Sequence, residues 1–111
     1  MSDDVGGEFV FPERWRDLRG RDAADERDRA KVERELSRET AEGHVLFAVS
    51  VNAVAACGHC DDVLFALKDG RLACVHLTYV RSAPDRLPWP ETKLLDGWSG
   101  LVEYVEAHGE L

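Results

Sequence analysis

The chain contains no apolar run near the ~20 residues that a membrane-spanning helix needs. Its opening, MSDDVGGEFVF, is acidic and lacks both the basic flank and the apolar core of a secretion signal. A cytoplasmic location without membrane association is therefore expected. Excess positive charge is also lacking: the formal net charge is −8, with three Lys beside eleven Arg. Such a surface repels phosphate backbones, which argues against nucleic-acid binding, and suits either solubility or a basic protein partner. The Arg bias fits a GC-rich bacterial source. No glycine-rich phosphate loop, nucleophile elbow or triad spacing is present, and Ser50, Ser82 and Ser99 stand outside any such context. There is no internal repeat and no low-complexity tract. What remains is ordinary for a globular domain of 111 residues, 44% hydrophobic and 32% charged.

The most informative stretch is 61–80, DDVLFALKDGRLACVHLTYV. Residues 63–67 and 72–80 are rich in β-branched and aromatic side chains, and Lys68-Asp69-Gly70-Arg71 lies between them. Asp-Gly favours a two-residue type I′ turn, in which both central residues take positive φ. That turn sets Leu67 opposite Leu72, Phe65 opposite Cys74, Val63 opposite His76 and Asp61 opposite Thr78. On the other side of the ribbon it sets Ala66 opposite Ala73, Leu64 opposite Val75, Asp62 opposite Leu77 and Cys60 opposite Tyr79. Both sides are apolar near the middle, whereas a sheet with one wet face alternates. Each face thus needs a cover, from two helices or from a second copy of the chain.

Residues 1–10 read as a flexible N-terminus and 11–111 as a single α+β domain. Phe11 to Trp15 is expected to open a short helical turn with Pro12 in its first turn. Asp22 is a good N-cap, with Asp25 and Glu26 favourable to the dipole, for a helix running to about residue 41 with Gly43 at C′. Its apolar stripe is narrow, centred on Val32 and Leu36. The pairs Asp25–Arg29, Arg29–Glu33 and Lys31–Glu35 add local support. Residues 44–57 form an extended segment whose front half, Val45 to Phe47, could be a buried turn. Three of the four prolines fall in an irregular loop over 81–90. Residues 91–95 suit a short edge strand. Asp96 then caps a final helix, from 97 to about 108, with an apolar stripe at Trp98, Leu101, Val102, Val105 and His108. The expected architecture is an N-terminal helix, a three- or four-stranded antiparallel β-meander and a C-terminal amphipathic helix.

Three groups of residues could carry chemistry. Cys57-Gly58-His59-Cys60 is a Cys-x-x-Cys that could hold zinc or cycle as a dithiol. Zinc needs further ligands, and Cys74 lies ~17 Å from Cys60 along the ladder at ~3.3 Å per residue, so a bland turn-flanking pair without a cofactor is the simpler reading. Asp61 could orient His76 as a general base, or His76 could be a core histidine satisfied by a carboxylate. Asp62, Thr78, Tyr79 and Trp89 could form a polar and aromatic binding surface, or lid the core.

The run Cys-x-x-Cys-Asp-Asp-Val-Leu-Phe, then Val75-His76-Leu77-Thr78-Tyr79, then Trp89-Pro90-Glu91-Thr92, resembles a group of small uncharacterised bacterial proteins with an HLTW-like strand and a WPxT loop. Tyr79 stands where the group usually has Trp. The resemblance covers residues 44–105. It implies that His76, Thr78, Tyr79 and Trp89 act as a unit, and brings no activity with it. The function expected is a non-enzymatic binding or interaction module, as a homodimer or with a protein partner. The alternatives are a small hydrolase-like enzyme using His76 with Asp61, and a metal or thiol site at Cys57 and Cys60.

Overall fold

A computed structural model describes residues 10–58, 61–79 and 86–108. The expected flexible segment lies outside these residues except for Val10, and so does Cys60. Asp22 begins the first helix, α1 (Ala23–Glu39): its carboxylate accepts the Asp25 N–H at 2.8 Å. The helix stops at Glu39, two residues before its expected end. Thr40 leaves the helical backbone, and its N–H and hydroxyl both turn back to the Leu36 carbonyl. Gly43 (φ 101°) serves the following turn rather than the helix end. The inner stripe is Val32, Leu36 and Glu39, at i, i+4 and i+7.

None of the three expected i,i+4 pairs forms. The charges tie the helix to the sheet instead. Asp25 and Asp28 hold Arg16 at 2.8 and 2.7 Å. Arg29 donates to the Leu18 and Gly20 carbonyls, and the Glu33 carboxylate accepts the Ala53 N–H at 2.7 Å.

The sheet has five antiparallel strands in chain order: β1 (Trp15–Asp17), β2 (Val51–Cys57), β3 (Asp62–Leu67), β4 (Leu72–His76) and β5 (Glu91–Leu95). The fold is α+β as expected, with one strand more than the longest meander anticipated. The extra strand comes from Trp15 to Asp17. The turn begun at Pro12 closes at Trp15, and the chain then extends along β2, with Trp15 opposite Cys57. Residues 44–48 are turns, so the extended segment is confined to 51–57. Within β2, Ala53 faces Phe65 and Ala55 faces Leu64, leaving Val54 as a bulge whose carbonyl accepts the Leu18 N–H at 2.8 Å.

The β3–β4 hairpin is one residue out of the expected register. Asp62 lies opposite His76, Phe65 opposite Ala73 and Ala66 opposite Leu72. Its loop has three residues, Lys68-Asp69-Gly70, closed by Leu67 N–H to the Arg71 carbonyl at 2.9 Å. Only Gly70 in it has positive φ (95°), the pattern of a type I turn followed by a glycine bulge. The Asp69 carboxylate accepts the Arg71 N–H, which settles the turn without a left-handed Asp69. The slip turns the β4 side chains, His76 included, to the opposite face relative to those of β3.

Each sheet face carries a helix of the same chain. Under α1 lie Ala53, Val63, Phe65, Leu67, Ala73, Val75 and Leu77, joined by Leu18 and Leu46. The other face, with Ala55, Cys57, Leu64 and Leu72, meets Trp15 and the second helix, α2 (Gly97–His108), through Leu101. Among the described residues no helix is long and apolar enough to cross a membrane.

Candidate functional site

α2 has 12 residues, about 18 Å at 1.5 Å per residue, and does not cover its whole sheet face. The part left open is a groove of about 890 Å³. Leu64 and Leu101 contribute its apolar floor. Asp62, His76 and Glu91 stand together along one end, and Trp89 and Tyr104 add aromatic surface.

Strand alternation builds the polar end. Asp62, His76 and Glu91 are directly opposed on β3, β4 and β5, so their side chains share the α2 face. The His76 imidazole donates from Nδ1 to Asp62 Oδ1 at 2.7 Å. This bond raises the His76 pKa above its ordinary 6.5; the charges of Asp61 and Glu91 act in the same direction and burial opposes them. His76 Nε2 makes no hydrogen bond to a described residue. The partner of His76 is thus Asp62 and not Asp61, a direct result of the one-residue slip. Asp61 lines the same groove, and its carbonyl accepts the Leu77 N–H at 3.0 Å.

Cys74 precedes His76 by two residues, so it lines the groove between Leu64 and Lys93. The Lys93 ammonium sits 4.8 Å from the centre of the Tyr104 ring, a cation–π contact. Cys57 is buried beside Trp15, two strands from Cys74. Among the described residues no three metal-binding side chains converge, and Cys60, half of the Cys-x-x-Cys, lies outside them.

Trp89 is half exposed (46%) and borders both the groove and a smaller hollow of about 390 Å³ formed with Val45 and Leu87. The loop that presents it is anchored through one carbonyl. Buried His44 donates from Nε2 to the Pro90 oxygen at 2.8 Å and accepts the Leu46 N–H on Nδ1 at 2.9 Å. Those two bonds require the neutral Nε2–H tautomer. The Thr92 hydroxyl donates to the same Pro90 oxygen at 3.1 Å. The Leu87–Pro88 and Trp89–Pro90 peptide bonds are both cis.

Thr78 and Tyr79 follow β4 and are held by α1. The fully buried Glu39 carboxylate accepts the Thr78 N–H at 2.9 Å and the Tyr79 N–H at 2.8 Å. Burial pushes its pKa up to about 7, adjacent Glu35 adds to this, and the two backbone N–H groups oppose it. Glu35 is held down by Arg38, which donates to both of its oxygens. Tyr79 has φ 54°, a left-handed conformation unusual for a bulky residue. Its phenol is pushed up by burial, then by Glu35, Asp61 and Glu39.

Of the residues singled out in the sequence, Asp61, Asp62, His76, Thr78 and Trp89 meet in the groove. Tyr79 flanks Thr78 without lining it, and Cys57 is elsewhere. From the sequence, Cys74 enters only as a distant zinc ligand, and Glu91, Lys93, Tyr104, His44 and Glu39 have no role in a site. Glu39 had a signal: it continues the Val32–Leu36 stripe by one position, placing a carboxylate where an apolar residue belongs. The chain finds no match among protein-family models, curated proteins or solved structures.

Proposed function

We propose that this protein is a binding module without catalytic chemistry of its own, and that the groove over Leu64 receives its ligand. One observation carries the reading. α2 leaves open part of a sheet face that is otherwise covered, and the open part sets polar groups around an apolar floor. Its volume of about 890 Å³ falls in the range of small-molecule sites. Asp61, Asp62 and Glu91 outnumber the cations lining it, so a ligand with a basic group and a flat apolar body is favoured. Asp62 raises the His76 pKa, so the imidazole keeps its proton to higher pH than a free one and is less available there as a general base, which favours a binding role. The test is an NMR titration of the labelled protein with a panel of aromatic amines and aromatic acids. Shift changes at Asp62, His76 and Trp89 with the amines are expected. Changes confined to residues outside the groove would overturn the reading.

A second reading rests on His76 Nε2. A carboxylate-oriented imidazole with its other nitrogen unengaged is the arrangement of a general base, here with Asp62 in the orienting role. Turnover of a hydrolysable ester that disappears in His76→Gln would establish it. Membership of the group with HLTW-like and WPxT motifs fits the Pro90 anchor, which makes the Trp89–Thr92 motif one folded unit. A protein partner or second copy would meet Val45, Leu87 and Trp89, the exposed apolar residues around the smaller hollow. A cytoplasmic location is consistent with these readings.

A further inference from the structure

We propose that Glu39 is a pH-operated clamp on the rim of the groove, holding the Thr78–Tyr79 backbone when ionised and loosening it when protonated. The geometry comes first. Glu39 ends α1 with no solvent exposure, and each of its two oxygens accepts one of two successive backbone N–H groups. Two adjacent N–H groups converging on one anion form a small concavity suited to negative charge. Here the anion comes from the chain itself, and the residue it secures is Tyr79, at a φ (54°) that a bulky side chain seldom adopts. Thr78, the other residue secured, lines the groove. The clamp thus joins α1, on one side of the sheet, to the rim of the groove on the other.

The charges around Glu39 favour a proton. From its own helix, Glu35 lies close enough for a carboxyl–carboxylate hydrogen bond. Arg38 stands 3.9 Å away and already serves Glu35. From the end of β4 comes the Tyr79 phenol, which is uncharged near neutrality. Asp61, from the start of the hairpin, adds negative charge near that phenol. The Arg38 ion pair is long, at 3.9 Å, and burial together with Glu35 outweighs it, raising the Glu39 pKa to about 7. On protonation one oxygen becomes a donor toward Glu35, and the two amides lose a charge-assisted acceptor.

This arrangement has a signature that a merely structural carboxylate lacks. The folded pKa, about 7, is above the ordinary carboxyl value of 4.5, so the folded state takes up the proton first. Overall stability from this group is fully present below the unfolded pKa and is lost as pH rises through the folded one. Local order at Thr78 and Tyr79 runs the other way, greatest when Glu39 is charged.

The experiment is residue-resolved amide hydrogen exchange without ligand, corrected for intrinsic rates, with melting curves at the same pH values. Protection at the Thr78 and Tyr79 amides should fall about tenfold from about pH 8.5 to about pH 5.5, the effect of losing much of one charge-assisted bond. The midpoint should lie near 7 while the melting temperature rises. Glu39→Gln should abolish that midpoint. Should this variant fail to fold, Glu35→Gln keeps Glu39 in place and should move the midpoint to lower pH. Protection that does not change with pH in the wild type, or a midpoint unmoved in the folded variants, overturns the clamp. Its effect on ligand affinity rests on the groove reading, but exchange reads the clamp with no ligand present, so the two can fail separately.

Discussion

His76 and Asp62 oppose each other across β3 and β4, with imidazole Nδ1 2.7 Å from carboxylate Oδ1. Replacing Asp62 by Asn removes the main cause of the raised His76 pKa. An NMR titration of the His76 ring should show its midpoint fall toward the unperturbed ~6.5. An unmoved midpoint would assign the shift to Asp61 and Glu91. The pair's stabilisation is present below the unfolded His pKa and is lost as pH rises through the folded value. Both side chains are partly exposed, so D62N should cost no more than about 1 kcal/mol in a urea melt.

His44 ties two distant segments, accepting the Leu46 N–H and donating to the Pro90 carbonyl. His44→Ala leaves a buried donor and weakens the anchor of the Trp89 loop. The expected loss is about 2 kcal/mol, read as a lower urea midpoint. The resonances of Trp89 and Thr92 should shift, and those of the β3–β4 hairpin should not. A variant as stable as wild type would show that Thr92 alone holds the loop.

Gly70 closes the hairpin at φ 95°, and a Cβ there would meet nothing within 4 Å. Gly70→Ala therefore isolates the backbone cost of a left-handed residue, about 1–2 kcal/mol in a thermal melt. Gly70→Asn should cost less, because Asn tolerates that region better. Equal losses for Ala and Asn would point to a side-chain clash that the geometry does not show.

Phe65 is fully buried beneath α1 and Leu94 is partly exposed on β5. Phe65→Ala should lose about 3–5 kcal/mol in chemical denaturation. Leu94→Ala should stay within about 0.5 kcal/mol of wild type. A large loss at Leu94 would mean that β5 is covered in solution by something other than this chain.

The architecture was readable in the chain where local chemistry and the need for burial agree. Asp22 with acidic first-turn residues announces α1, and a hairpin apolar on both sides requires a layer on each. The register was not readable, because Asp69-Gly70 serves a type I′ turn and a type I turn with a glycine bulge equally well. The choice is made by Asp69, which caps the Arg71 amide rather than entering left-handed space. That single ambiguity exchanged Asp61 for Asp62 as the partner of His76. β1 was missed because three residues carry too little periodicity to outweigh a proline. Glu39 and His44 act on segments 39 to 46 residues away, a separation that no local pattern reports.

Val54 gives β2 an odd count. Val51 and Ala53 turn toward α1 before it, and Ala56 does so after it, while Ala55 and Cys57 turn toward α2. In an unbroken ladder a strand can change length only in pairs of residues if its inside is to stay inside. Here one residue can go: without Val54, every other side chain of β2 keeps both its neighbour on β3 and its layer. Deleting Val54 should leave a cooperative melt, weakened by the loss of the acceptor for Leu18. Deleting Leu64 from β3 should abolish the melt, since half of that strand would change sides. The sheet thus has one position at which its length and its inside–outside pattern are uncoupled.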